Sequence, residues 1–128
     1  MTRESQAGTI LLVDDNVDIR ELGRRILESA GYNVITAADG AEGLRCYEEH
    51  HSRIGLMITD VIMPILNGLE LADRVLQIDS GLPVFFISGD AWCSFRGLEC
   101  LAKPFRAAEL LDRVGRVLQS NLQSRATA

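Results

Sequence analysis

The chain has 128 residues, of which 47% are hydrophobic, and its 13 Lys and Arg residues against 18 Asp and Glu residues give a net charge of -5. This length is typical of one domain, whose folding would bury roughly two thirds of the surface of the extended chain. The acidic balance, without a cluster of basic residues, argues against direct binding to nucleic acid, which needs positive charge to neutralise phosphates.

Short apolar runs alternate along the chain with segments of helical periodicity. Each run is mostly aliphatic or β-branched and is bounded by turn residues, which predicts a strand. The predicted strands are Thr9 to Val13, Tyr32 to Thr36, Ile54 to Thr59, Pro83 to Ile87 and Leu98 to Ala102.

Helices are predicted between these strands. The first begins after Asn16, a favourable N-cap, and ends at Gly31. The second opens with a capping-box pattern at Asp39 to Glu42, and the third follows Asn67-Gly68. The last helix carries an apolar stripe of Leu110, Leu111, Val114, Val117 and Leu118.

The alternation predicts an α/β fold: a flavodoxin-like, doubly wound, five-stranded parallel sheet in the order 2-1-3-4-5, with five helices. The fourth helix, between strands four and five, has only about nine residues available and is therefore short or missing. We expect the domain to span residues 8–120, with residues 1–7 and 121–128 as flexible termini.

The sequence also indicates where the protein resides. No apolar run approaches the roughly 20 residues that a membrane-spanning helix needs, and the N-terminus has no signal-like stretch. The cysteines, Cys46, Cys93 and Cys100, are odd in number, lack CxxC spacing and lie in or beside apolar segments, which predicts buried free thiols. We therefore expect a cytoplasmic protein without membrane insertion.

Three predicted strands end on charged residues. The first ends on Asp14 and Asp15, the third on Asp60 and the fifth on Lys103, and in the predicted strand order these ends share one edge. Three carboxylates brought together repel one another, and Mg²⁺ would relieve that repulsion. The Lys103 ammonium can hold an anion beside the metal. Together these groups predict a metal and phosphate site suited to phosphoryl transfer.

The segments that carry this chemistry resemble the CheY-like receiver domain of two-component response regulators. Each motif alone is weak, but the ordered set is specific, and the resemblance covers about residues 8–120. The matching segments are Leu11 to Asn16, Thr59 to Pro64 with Asn67-Gly68, Ile87 to Gly89, and Lys103 to Phe105.

The resemblance implies a role for each residue of the predicted site. Asp60 matches the phosphoacceptor, which takes a phosphoryl group from a phosphohistidine. Asp15 matches the direct Mg²⁺ ligand, Asp14 its neighbour that acts through a water, and Ile62 the position whose backbone carbonyl is a further ligand.

Two more residues complete this implied site. Ser88 matches the hydroxyl residue that turns toward the phosphoryl oxygen on activation, and Lys103 matches the lysine that pairs with the phosphate. The Lys103-Pro104 bond is typically cis in this family. Receivers catalyse only their own phosphorylation and dephosphorylation, so we do not expect an enzyme in the usual sense. The implied partner is a histidine kinase or a histidine phosphotransfer domain.

The chain departs from the family pattern on its output side. Cys100 stands where receivers usually have Tyr or Phe, three positions before the site lysine. Together with the short fourth helix, this alters the face through which receivers usually dimerise, so we expect a monomer or weak dimer. A sound acceptor site with an altered output face suits phosphate relay, as within a larger hybrid histidine kinase.

Alternatives remain open at this point. Taken singly, Asp14 and Asp15 could cap a helix, Asp60 could end a strand and Lys103 could be a surface charge. A phosphatase of the haloacid-dehalogenase type also uses an aspartyl nucleophile and Mg²⁺, but it needs a second acid two residues after the nucleophile, where this chain has Asn16. A receiver-like interaction module that no longer depends on phosphorylation is the other alternative, favoured by Cys100.

Overall fold

The computed structural model of the chain describes residues 8–89 and 100–127, which form one parallel sheet with helices on both faces. The strands are β1 (Thr9–Val13), β2 (Asn33–Ala37), β3 (Ile54–Asp60), β4 (Val84–Ser88) and β5 (Cys100–Ala102). The helices within these ranges are α1 (Val17–Ser29), α2 (Gly40–His50), α3 (Gly68–Ile78) and α4 (Ala107–Thr127).

The strand order is β2-β1-β3-β4-β5 and every neighbouring pair is parallel. This confirms the predicted flavodoxin-like α/β fold. The helix predicted between β4 and β5 falls on residues 90–99, outside the described residues, as do the first two residues predicted for the fifth strand. In the described part of the chain, no helix is both long enough and apolar enough to cross a membrane.

Alternating side chains of the strands build two apolar layers. In β1, Ile10 and Leu12 face one layer while Leu11 and Val13 face the other, as expected for the two-residue period of a strand. The first layer is covered by apolar residues of α1 and α4, and the second by those of α2 and α3. Both faces of the sheet are therefore covered by apolar residues.

Side-chain caps fix where the helices begin. The Asn16 side chain accepts hydrogen bonds from the backbone N–H groups of Asp18 and Ile19 at 2.9 and 3.1 Å, so α1 starts directly after β1. Asn67 and Glu70 form a reciprocal capping box at the start of α3. Because these helices follow the carboxyl ends of their strands closely, their N-terminal ends face the edge of the sheet where the predicted site lies.

Several element boundaries differ from the sequence-based expectation: β2 and β4 each lie one residue later than predicted, and β3 ends one residue later. The second strand begins at Asn33 rather than Tyr32, because the Tyr32 N–H donates to the Leu27 carbonyl at 3.1 Å and closes the end of α1. The last helix continues past residue 120, where we expected the domain to end. The domain limits and the mobility of the chain ends remain predictions.

One cysteine corrects the expectation of free thiols. Cys46 is free and half-buried, and burial raises the pKa of its thiol. Cys100, in contrast, is disulfide-bonded, so the prediction of a free thiol there is wrong. A disulfide requires two sulfur atoms to meet in the fold, which spacing along the sequence does not reveal. Cys93 lies outside the described residues.

The start of α3 packs directly against the end of β3. The Gly68 N–H donates to the Val61 carbonyl at 2.8 Å, and a Cβ at Gly68 would overlap the Asp60 carbonyl oxygen. We expect Gly68→Ala to lower the free energy of unfolding by about 1–3 kcal/mol, because backbone on both sides must move. Urea unfolding followed by circular dichroism measures this change.

Gly115 supplies the matched control. It lies within α4, and a Cβ there would meet nothing within 4 Å. Gly115→Ala should therefore raise the free energy of unfolding by about 0.5–1 kcal/mol through helix propensity alone. Equal effects of the two substitutions would contradict the close approach at Gly68.

Candidate functional site

Aspartates lie at the carboxyl ends of two neighbouring strands of the sheet. Val13 of β1 pairs with Thr59 of β3, so the residues that follow them, Asp14 and Asp60, lie side by side. Asp15 extends the same edge, and one carboxylate oxygen of each aspartate lies within 4.8 Å of the others. The sequence-predicted convergence of the three acids is therefore present.

Lys103 reaches this acidic cluster from β5, across the end of β4. Its backbone N–H donates to the Ser88 carbonyl at 2.9 Å, and its peptide bond to Pro104 is cis, as the family resemblance implied. The Lys103 Nζ atom lies 3.0 Å from Asp60 Oδ2 and 3.0 Å from Asp14 Oδ2. The long lysine stem is what allows one ammonium to contact two carboxylates that follow other strands.

Burial and charge set the protonation of this cluster. Asp14 is fully buried, and the resulting desolvation raises the pKa of its carboxyl, although the hydrogen bond from the Asn16 N–H and the positive charge of Lys103 oppose the shift. Burial alone would lower the pKa of Lys103, but the Asp60 and Asp14 carboxylates outweigh it and raise that pKa. Lys103 is therefore a permanent cation. When all three acids are ionised, it balances only one of their charges.

One oxygen of Asp14 argues most directly for a bound cation. Oδ1 accepts a hydrogen bond from the Asn16 N–H at 2.9 Å. Oδ2 is buried and accepts no hydrogen bond from any residue in the described ranges, although it faces the Lys103 ammonium. The ion pair with Lys103 satisfies this oxygen in part, and a carboxylate oxygen has two acceptor sites, so it can also bind a metal or a water. Carboxylate oxygens are the ligands that Mg²⁺ prefers, so the residues present fit Mg²⁺.

Asp60 is held by contacts on both carboxylate oxygens. Oδ1 accepts from the Val61 N–H at 2.8 Å and Oδ2 accepts from the Lys103 ammonium. The buried Thr59 hydroxyl donates to the Asp60 backbone carbonyl at 2.9 Å. Asp60 is 7% exposed, whereas Asp14 is 0% exposed. Of these two carboxylates, Asp60 is therefore the more accessible to a group that arrives from solvent.

The two other predicted site residues lie beside this cluster. Ser88 is buried at the end of β4 and pairs with Ala102, the residue before Lys103. Ile62 follows Asp60 by two residues, and its side chain is exposed. The Ser88 hydroxyl and the Ile62 carbonyl keep their implied roles as predictions.

The loop between β3 and α3 contains a strained residue that sequence reasoning missed. Ile65 has a φ angle of 73° and its side chain is 80% exposed. A β-branched residue rarely adopts this left-handed conformation. The Pro64 and Asn67-Gly68 residues on either side predict a turn, but nothing in the sequence shows which residue takes the positive φ angle.

Arg20 is a second residue that sequence reasoning missed. Its Nη1 atom donates to the backbone carbonyl of Asp14 at 2.8 Å, so α1 is tied to the acidic edge of the sheet. Arg20 lies one helical turn after the Asn16 cap. This spacing places Arg20 near the start of α1, but periodicity alone does not show which group a long side chain contacts.

Comparisons with known proteins agree with this geometry. Residues 10–115 match the sequence profile of the response regulator receiver domain. The response regulator receiver protein CpdR of Brucella abortus is 36% identical over 117 residues, which cover 85% of this chain and 95% of CpdR. The receiver domain of the hybrid histidine kinase CckA, a solved structure, has a TM-score of 0.77 and 39% identity, with 87% of this chain and 99% of that domain covered.

Other relatives are longer than this chain. The transcriptional regulatory protein CpxR homologue of Haemophilus influenzae is 36% identical over 117 residues, which cover 86% of this chain but only 50% of that protein. The chain thus spans nearly all of one relative and half of another.

The buried Asp14 carboxylate generates a prediction about stability. Since its environment disfavours the charged form, Asp14→Asn should raise the free energy of unfolding without Mg²⁺ by about 1 kcal/mol at neutral pH. The same substitution should remove most of the increase in melting temperature that Mg²⁺ produces. Thermal unfolding with MgCl₂ or with EDTA measures both effects.

Asp73→Asn is the control, since Asp73 is exposed on α3. It should change neither the basal stability nor the response to Mg²⁺. A lower stability of Asp14→Asn in EDTA would show instead that the ion pair with Lys103 outweighs the burial of the carboxylate.

The left-handed conformation of Ile65 generates another prediction. Ile65→Gly should raise the free energy of unfolding by about 1 kcal/mol, because glycine adopts a positive φ angle without strain and little buried surface is lost. Ile62→Gly, at an exposed isoleucine of the same loop whose φ angle is not positive, should lower it through backbone entropy. Urea unfolding of both variants checks the opposite signs, and a loss of stability in both would disprove the strain at Ile65.

Proposed function

This chain belongs to the response regulator receiver family of two-component systems, and from that premise we propose that Asp60 accepts a phosphoryl group from a phosphohistidine in the presence of Mg²⁺. The observation that carries the proposal is the convergence at one sheet edge of three carboxylates and the Lys103 ammonium. In this reaction a carboxylate oxygen of Asp60 forms a bond to phosphorus. The bond from phosphorus to the donor imidazole nitrogen breaks, and its electron pair returns to the imidazole.

Accessibility favours Asp60 as the acceptor. Asp14 is fully buried, and Asp15 is exposed on the turn beyond β1. The exposure of Asp60 is intermediate: its carboxylate is accessible from solvent, and hydrogen bonds to both carboxylate oxygens fix its position. A fixed nucleophile needs little reorganisation to meet the phosphorus atom in line, and positioning of this kind supplies much of the catalysis in phosphoryl transfer.

The acidic cluster would hold Mg²⁺ through Asp14, Asp15 and Asp60, with the Ile62 backbone carbonyl as a further ligand. The bound metal would supply positive charge to the phosphoryl oxygens, which otherwise repel the acceptor carboxylate. The buried Oδ2 atom of Asp14 and the uncompensated negative charge of the cluster support this assignment.

Lys103 and Ser88 would act on the phosphorylated form. The Lys103 ammonium contacts the Oδ2 atom of Asp60, so it is close enough to pair with a phosphoryl group attached to that carboxylate. Ser88 ends the strand beside β5 and would direct its hydroxyl toward a phosphoryl oxygen. Because the Ser88 carbonyl accepts a hydrogen bond from the Lys103 N–H, a movement of one residue would displace the other.

We infer that residues 8–120 act as the receiver unit in the cytoplasm and that its donor is a histidine kinase or histidine phosphotransfer domain. Exposed apolar residues of α1 and of the loop after β3 offer a contact surface for the helices of such a donor. They are Val17, Leu22, Ile62 and Ile65. The similarity to the receiver domain of the hybrid kinase CckA supports relay within a larger kinase as one setting.

The test is phosphorylation of the purified chain by acetyl phosphate with MgCl₂, followed by intact mass spectrometry. We expect one phosphoryl group per chain, lost on treatment with hydroxylamine as an acyl phosphate should be, and no labelling in EDTA. Asp60→Asn should abolish labelling because the amide is a poor nucleophile. Asp73→Asn on α3 removes an exposed carboxylate and should leave labelling unchanged.

Two results would contradict the proposal in different ways. If the folded chain is not labelled by acetyl phosphate or by a phosphorylated histidine kinase, it is an interaction module that does not depend on phosphate. If it releases phosphate from a phosphomonoester with steady turnover, it is instead a phosphatase that uses an aspartyl nucleophile.

A further inference from the structure

The turn that carries the metal-binding acids is held at every polar group of Asp14. The Asp14 N–H donates to the Ala37 carbonyl at 3.1 Å, and Oδ1 accepts from the Asn16 N–H at 2.9 Å. Oδ2 faces Lys103, and the remaining group, the backbone carbonyl, accepts from Arg20 Nη1 at 2.8 Å. Of these four contacts, the one from Arg20 fixes the peptide plane between Asp14 and Asp15.

That peptide plane matters because Asp15 has no comparable support. Its side chain is exposed, and no residue in the described ranges donates a hydrogen bond to its carboxylate. The direction of its Cα–Cβ bond is therefore set mainly by the backbone on either side. The backbone after Asp15 is fixed by the Asn16 cap, which accepts from the N–H groups of Asp18 and Ile19. The backbone before Asp15 is fixed by the hydrogen bond from Arg20 to the Asp14 carbonyl.

We propose that Arg20 is a positioning residue of the Mg²⁺ site, whose guanidinium holds the Asp14 carbonyl and so aims the Asp15 carboxylate at the metal. This inference rests on the proposed Mg²⁺-dependent function. Arg20 does not touch the metal or the phosphoryl group in this role. It acts through the backbone, as groups behind the direct ligands of metal sites commonly do.

The residue type fits this task. The Arg20 N–H donates to the Asn16 carbonyl at 2.9 Å, which anchors the residue in the first turns of α1, and its side chain reaches back six residues to Asp14. A planar guanidinium approaches a carbonyl in a defined geometry and stays charged at all physiological pH values. In the described part of the chain no carboxylate lies within ion-pair distance of it, so its hydrogen bond is not shared with a competing salt bridge.

Charge and geometry make opposite predictions for this residue. A cation close to a Mg²⁺ site repels the metal, so removing the charge of Arg20 should strengthen Mg²⁺ binding if electrostatics alone mattered. If Arg20 fixes the turn, removing it should weaken Mg²⁺ binding because Asp15 must then be ordered when the metal arrives. The sign of the change in Mg²⁺ affinity therefore separates the two roles.

The experiment is isothermal titration of the unphosphorylated chain with MgCl₂, for the wild type, Arg20→Met, Arg20→Lys and Arg25→Met. Arg25 is exposed on α1, so Arg25→Met removes the same charge from the same helix without touching the Asp14 carbonyl. We expect about a tenfold weaker Mg²⁺ affinity for Arg20→Met, an intermediate value for Arg20→Lys, and the wild-type affinity or slightly tighter binding for Arg25→Met.

A second readout separates positioning from general loss of structure. With acetyl phosphate as donor, the labelling rate of Arg20→Met should return to that of the wild type at saturating MgCl₂, because only the affinity for the metal has changed. Thermal unfolding in EDTA identifies a folding defect. If Arg20→Met does not fold, the comparison of Arg20→Lys with the wild type decides by the same criteria, with weaker Mg²⁺ binding expected.

The results that overturn this inference differ from those that overturn the proposed function. Unchanged or tighter Mg²⁺ binding by the Arg20 variants, in a wild-type chain that is phosphorylated normally, removes the positioning role alone. A labelling rate of Arg20→Met that stays low at saturating MgCl₂ also removes it. A wild-type chain that neither binds Mg²⁺ nor accepts phosphate removes both.

Discussion

The Lys103 ammonium lies 3.0 Å from a carboxylate oxygen of Asp14 and 3.0 Å from one of Asp60, and the rest of the site depends on this contact. Parallel strands bring their carboxyl ends together, so an α/β sheet with acidic residues at those ends forces like charges into proximity. Without a cation between them, two such carboxylates could not both remain ionised in a buried place. Lys103 supplies one positive charge from the chain itself. The negative charge that Lys103 does not balance is available to bind a metal.

The surrounding fold tolerates this charge because its two apolar layers are complete. The central strands β1, β3 and β4 bury nearly all of their side chains, and fully buried residues such as Leu27 and Phe85 secure the layer next to α1 and α4. Each such side chain contributes about 1.5–3 kcal/mol of burial free energy, enough to offset local losses at the sheet edge. The raised pKa of Asp14 and the positive φ angle of Ile65 are two such losses, and both lie where the site is built.

The sequence allowed the sheet and the acidic edge to be predicted because both follow from short-range pattern. Once the strand order is known, residues such as Asp60 and Lys103 that lie at the carboxyl ends of parallel strands must meet at one edge. The features that the sequence pattern did not predict depend on the direction of long side chains and on tertiary contacts. The hydrogen bond from Arg20, the left-handed backbone at Ile65 and the disulfide at Cys100 are of this kind.

Two cations therefore serve the same acidic turn in different ways. Lys103 is a flexible point charge whose ammonium contacts carboxylates, so it can exchange one anionic partner for another when the charge at Asp60 changes. The planar guanidinium of Arg20 donates to a neutral backbone carbonyl, so this hydrogen bond does not depend on the charge at Asp60. In the proposed reaction, Lys103 would pair with the phosphoryl group while Arg20 holds the turn still, so the proposed metal ligands would keep their geometry. A lysine suits the first role because its ammonium pairs with anions, and an arginine suits the second because its planar guanidinium holds a carbonyl in a defined geometry.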